Sequence, residues 1–381
     1  MATAGAPERG APAPSEPGWR WFVVALGAMV AVTAAPTWPP ALAVAAGAVR
    51  LLVPVEQVAL LVVVAVASAA VVGWRSGGRW WMAVAWVVAA AYVLRMLPLP
   101  ADGYAAFVRG WSLTLGAAFG VVCLATSGRP FLGRALAAVA LASAVTVGGL
   151  RARAVTGHAT FQPVGQMLTV EYGRRLEASL LQWERRVASP GWRGFVQRFP
   201  EAGEVASRWA EGLQQAGGTG GVAGGRPPLL VVAPALLVLE SLVALALGWA
   251  AYHRVARVRI GPPLGALQAL RFNDQLVWGV VVGGTLLLLP TFAEWRAIGL
   301  NLVVVFGALY ALRGVAVLRW YLPDRLALPA LLGLVLVVLL LVALVGPGWG
   351  VAVLLANAVG LGLGDTWRDF RAGAPRRSLS S

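Results

Sequence analysis

Long apolar runs follow one another between Leu229 and Asp365, among them Asn301–Trp320 and Leu326–Val345. About 20 residues at a rise of ~1.5 Å cross the ~30 Å hydrocarbon core of a bilayer, so runs of this length read as membrane-spanning helices. Only 12% of the residues are charged and 59% are hydrophobic, whereas a soluble domain carries about 25% charged residues. The expected fold class is therefore all-α. It is a polytopic transmembrane helix bundle of about 9–11 membrane segments, because a spanning helix satisfies its own backbone groups. An amphipathic helical insertion outside the membrane interrupts it.

Hydropathy divides the chain into five parts. Residues 1–18, rich in Ala, Pro and Gly, are expected to be a disordered tail. Residues 19–150 form an N-terminal transmembrane block, with spans near Trp21–Ala35, Gln57–Trp74, Trp80–Leu97, Tyr104–Thr126 and Phe131–Leu150. Ala41–Val53 is too short to span comfortably and reads as a re-entrant or tilted segment. Residues 151–227 mix Arg and Glu with apolar residues and end in the Gly-rich stretch Gly217–Gly225. They read as two or three amphipathic helices and a flexible linker. Residues 228–365 form the second block, with spans near Leu229–Tyr252, Gln275–Leu289, Ile298–Trp320, Leu326–Val345 and Trp349–Gly364; residues 366–381 are a tail. Two GxxxG pairs, Gly116/Gly120 and Gly279/Gly283, have the spacing that lets helix backbones approach closely.

The net charge of +15 comes from 31 basic residues, all arginine. They flank apolar runs rather than forming one basic patch. That is the positive-inside pattern and not the footprint of a nucleic-acid binder. The arginine-rich short connectors are 75–79, 129–134, 254–271 and 319–325, with the tail Arg368–Arg377. Alternation places them all on one side, since two expected spans lie between each and the next, whether or not residues 36–53 cross the membrane. The expectation is that this side and both termini are cytoplasmic and that residues 151–227 lie outside, as long segments translocate largely regardless of charge.

Glu240 sits in the middle of Leu229–Ala250. A central acid costs roughly 2.5–3.5 kcal/mol on insertion, and Leu and Val return about 0.3–0.6 each. Twelve Leu or Val in that run outweigh the acid, so the helix inserts with Glu240 facing protein. Arg313 either snorkels to the interface beside Arg319 or turns inward to pair with Glu240. Asn301, Tyr310 and Asn357 complete the candidate intramembrane polar site. Asp365, Trp367, Arg368, Phe370 and Arg371 form a helix-end motif at headgroup level. The single cysteine, Cys123, excludes an internal disulfide, and His158 and His253 are not at metal-ligand spacing. No metal site, cofactor or catalytic constellation is expected.

The stretches ALRFNDQLVWGVVV, Asn301 with FGALYALRGVAVLRWYL, and GLGDTWRDFR together resemble the YybS-like family of polytopic bacterial membrane proteins. That resemblance covers residues 229–371 and implies the bacterial cytoplasmic (inner) membrane. The family usually carries Gln-Gly where this chain has Arg313-Gly314, and it brings no established activity. At fold level the chain is similar to the substrate-binding components of energy-coupling-factor transporters. Those dock a partner through small residues on their first helix. Gly27, Ala31 and Ala35 share one such helix face here.

The resulting expectation is a non-enzymatic component that binds or transports a small polar solute. The alternative is a membrane scaffold or assembly factor offering residues 151–227 to a protein partner. In both readings the chain contacts the lipid bilayer and not nucleic acid.

Overall fold

The computed structural model describes residues 55–96, 103–126, 128–155, 187–200, 231–256, 258–321, 347–368 and 370–371, with scattered positions between 170 and 211. The first helix with its Gly27/Ala31/Ala35 face, the segment Ala41–Val53, the linker Gly217–Gly225 and the span Leu326–Val345 lie outside the described residues.

Nine α-helices are present among the described residues: α1 Val55–Arg75, α2 Trp80–Met96, α3 Gly103–Ala125, α4 Phe131–Val155, α5 Pro190–Arg198, α6 Ala233–Val255, α7 Val277–Leu288, α8 Arg296–Tyr321 and α9 Pro347–Trp367. Among the described residues, four helical stretches are long and apolar enough to cross a membrane: Ala106–Ala125, Phe131–Gly149, Ala233–Val255 and Pro290–Tyr321. The all-α bundle expected from hydropathy is what the chain forms. On the outer face of α2, Trp80, Trp81, Val84, Val87, Val88 and Tyr92 are exposed, the kind of surface that a bilayer covers.

Two helices end away from their hydropathy limits. α4 runs on to Val155, because helical hydrogen bonding continues where apolarity stops. α7 is only 12 residues, about 18 Å at 1.5 Å per residue. It stops because Pro290 follows: Leu289 takes the extended conformation required before proline, and a 3-10 stretch, Pro290–Trp295, leads into α8.

In residues 151–227, α5 starts at a formal cap. The Ser189 hydroxyl accepts from the Trp192 N–H, and Pro190 takes the first turn. Trp192, Phe195 and Phe199 stack along one face, with ring centroids 5.7 and 5.3 Å apart.

The packing has two centres. α1 packs against α2, α3 and α6, and α8 packs against α7 and α9. α6 opens the second apolar block in sequence but lies mainly on α1, with further contacts to α4 and α8. Glycines set the crossings. Gly116 and Gly120 face Val64 and Ser68 of α1, and the Ser68 hydroxyl donates to the Gly116 carbonyl at 2.6 Å. Gly283 and Gly299 face each other between α7 and α8. Both GxxxG pairs therefore line helix contacts.

The connector from α6 to α7 is a strap joining the two centres. Its first half is held by backbone carbonyls. The Tyr252 hydroxyl donates to Val258 at 2.7 Å, Arg134 to Ile260 at 3.0 Å and the Trp249 indole to Pro262 at 3.1 Å. The ring nitrogens of His253 lie 3.0 Å from the carbonyls of Trp249 and Gly261. Trp249, fully buried, is the hub: Phe119, Phe131, Tyr252 and His253 surround its ring, and the Arg134 guanidinium lies 5.3 Å from its centroid.

These contacts gather the arginine-rich connectors at one end of the bundle. Arg79 and Trp74 line a crevice of about 20 Å³ with Tyr252 and Val258. Arg134 reaches Ile260, Arg371 reaches the strap, and the Tyr321 hydroxyl donates to the Phe370 carbonyl. α4 runs antiparallel to α6, so the connector between them leaves and re-enters at the opposite end.

Candidate functional site

At the arginine-rich end α8 and α9 cross with their backbones touching. A Cβ at Gly314 would fall on the Ala358 carbonyl, and one at Gly362 on the Tyr310 carbonyl. Only glycine permits that approach. It brings Arg313, the neighbour of Gly314, beside Asp365, three residues beyond Gly362.

Arg313 donates from Nε to Asp365 Oδ2 at 2.9 Å and from Nη2 to the Asp365 carbonyl at 3.1 Å. Its Nη1 donates to Asp274 Oδ1 at 2.9 Å. Arg371 also donates to Asp365 Oδ2, and its Nη1 donates to the strap carbonyls of Gln268 at 3.0 Å and Leu270 at 3.1 Å. Two guanidiniums thus face two carboxylates. Their settings differ sharply: the Asp365 side chain is 1% exposed and the Asp274 side chain 61%. A buried charge requires a partner and full hydrogen bonding, which Arg313 has on all three of its nitrogens.

Aromatic rings close the cluster. The Phe272 ring lies 5.3 Å from the Arg313 guanidinium and packs edge-on against Tyr310, centroids 5.2 Å apart. Tyr310 is fully buried. Asn273 caps the turn that carries Asp274, its side-chain oxygen accepting from the Gln275 N–H at 3.0 Å. The three stretches that carry the family resemblance therefore meet here. RFND supplies Phe272 and Asp274, LYALRG supplies Tyr310 and Arg313, and GLGDTWRDFR supplies Asp365 and Arg371.

The remaining candidate residues lie elsewhere. Glu240 is 5% exposed, buried in α6, next to Ser241, whose hydroxyl accepts from the Trp111 indole at 3.0 Å. Arg313 pairs with Asp365 and Asp274, a set that does not include Glu240. Asn301 ties α8 to the start of α6: its oxygen accepts from the Ala235 N–H at 2.8 Å, and its amide donates to the Val231 and Ala297 carbonyls, both at 2.7 Å. It supplies one of the acceptors that the first turn of a helix lacks. Asn301 and Tyr310 lie about 14 Å apart along α8. Asn357 is exposed on α9, as are Trp367 and Arg368 at its end, and Phe370 is half-buried.

Asp274 was not singled out in the sequence, since an aspartate in a polar connector carries no periodic signal. Its place directly before an apolar helix, after a capping Asn273, was the one available sign.

No curated protein and no solved structure matches the chain. The chain is a membrane protein whose residues 227–354, from the approach to α6 into α9, match the model of a family described as "Predicted membrane protein (DUF2232)".

Proposed function

We propose that the chain is a component of the bacterial inner membrane that binds or transports a small solute, with Glu240 meeting the solute. The observation that carries this reading is an acid buried about a third of the way along an apolar helix, α6, that contacts both packing centres through α1 and α8. An ionisable residue kept inside a span at an insertion cost marks a solute or ion path by default. Solute sites of membrane proteins sit near the midplane where two groups of helices meet. In this reading the arginine-rich end faces the cytoplasm, as the positive-inside bias favours, and both termini lie on that side.

The test is a thermal screen of the purified protein against vitamins, nucleobases, amino acids and lipid precursors. A ligand of the folded state alone raises stability by about 2.7 kcal/mol at a hundredfold excess over Kd. A hit whose shift shrinks in Glu240→Gln supports the reading. A broad screen without hits rejects it.

One observation favours a scaffold role instead. In α5, part of the segment outside the membrane blocks, Phe199 ends the aromatic stack 56% exposed. Co-purification of a stable partner that is lost on Phe199→Ser, in a protein that binds no solute, would establish that role.

A further inference from the structure

The two bonds that hold Asp274 and Asp365 to Arg313 are unequal. Asp365 is enclosed, belongs to the same crossing as Arg313, and receives two of its nitrogens. Asp274 belongs to the strap, is mostly exposed, and receives only Nη1. Arg371 divides its bonds in the same way: one nitrogen goes to Asp365, and Nη1 goes to the strap carbonyls of Gln268 and Leu270. Lifting residues 268–274 therefore breaks bonds of the same atom, Nη1, on both arginines.

Of the four charged groups, two guanidiniums and one carboxylate then remain. With the strap in place the surroundings are largely dry, the Arg313 and Arg371 side chains being 5% and 2% exposed. Two guanidinium donors with an excess positive charge in such a place select an oxyanion, whose paired oxygens match the guanidinium fork. The strap is anchored for this motion. Residues 258–262 are held by four side chains of α4 and α6, while the polar ties of the far half run to Arg371 and Arg313, beside the packing of Phe272 on Tyr310.

We propose that residues 263–274 form a lid over an oxyanion site built by Arg313 and Arg371, and that the Asp274 carboxylate occupies the anion's place while the lid is shut. The ligand class is a carboxylate- or phosphate-bearing molecule that enters from the arginine-rich end. This site is separate from Glu240 and stands whether or not Glu240 meets a solute.

The experiment uses the full chain in phosphatidylcholine nanodiscs, titrated with inorganic phosphate against chloride at equal ionic strength and followed by thermal unfolding. A second arm replaces phosphate with phosphatidylglycerol in the disc, which separates a soluble oxyanion from a lipid headgroup. Asp274→Asn removes the competing charge from an exposed position. It should lower the half-saturating phosphate concentration by about tenfold, equivalent to ~1.4 kcal/mol. Asp274→Glu, which keeps the charge, should respond as the native chain does. Adding Arg313→Lys to Asp274→Asn should abolish the gain. A gain confined to the phosphatidylglycerol arm also supports the site, with the headgroup as ligand. No gain in either arm overturns the proposal, and so does an equal gain in Asp274→Glu or one that survives Arg313→Lys.

Discussion

Asp365→Asn tests how the α8–α9 crossing is held together. The substitution keeps the size of the side chain but removes the charge that faces Arg313 and Arg371. Both guanidiniums are nearly enclosed, so neither gains water in exchange. Removing one partner from a buried ion pair costs about 3–5 kcal/mol, because the charge left behind is uncompensated. Asp274→Asn removes a carboxylate from the same Arg313 at the same 2.9 Å, but at a position where water replaces it. There the cost is about 0–1 kcal/mol. At roughly 2–4 °C per kcal/mol, Asp365→Asn should lower the melting temperature in detergent by on the order of 10 °C, and Asp274→Asn by no more than about 4 °C. Unfolding can be followed by the intrinsic fluorescence of the chain's 17 tryptophans at a fixed scan rate. Equal effects of the two substitutions would refute the argument, since Asp365 is enclosed between two guanidiniums and Asp274 is an exposed partner of one.

Three further outcomes follow from the packing. Gly314→Val should force α8 and α9 apart, because its Cβ would meet the Ala358 carbonyl, and should cost at least ~2 kcal/mol; Gly307→Val on the same helix meets open space and should be tolerated, as paired thermal melts will show. Asn301→Ala strips the acceptor from Ala235 and should cost about 1 kcal/mol in the same assay, the usual scale for a polar tie between membrane helices. In a Cys123→Ser background, an impermeant thiol reagent on intact cells should label a cysteine at Ser189 and spare one at Ser380; the reverse pattern would invert the orientation.

The apolar runs made the helices legible, because a bilayer leaves little choice for a stretch such as Ala233–Val255. The arginine-flanked connectors were legible as a set, and they do converge on one end. The GxxxG pairs lie at helix contacts, although a chain with 46 glycines offers that spacing often. Asn301 was recognisable as a residue that holds helices together, and it does so. The partner of Arg313 was not legible. Asp365 lies 52 residues away, and the two meet only because Gly314 and Gly362 let the backbones touch. Hydropathy cannot register that crossing, so it left Arg313 between the interface and Glu240. It likewise placed α6 with the second block, although its small and aromatic face, with Gly248 against Ala65 and Trp249 at the hub, packs on the first.

Equilibrium dialysis of the solute found by thermal screening, run on the native chain, Glu240→Gln and Glu240→Leu in parallel, tests the central claim most directly. The account predicts one solute bound per native chain, weaker binding to Glu240→Gln, and none to a folded Glu240→Leu. Unchanged binding to Glu240→Leu, with thermal stability equal to or above that of the native chain, would contradict it.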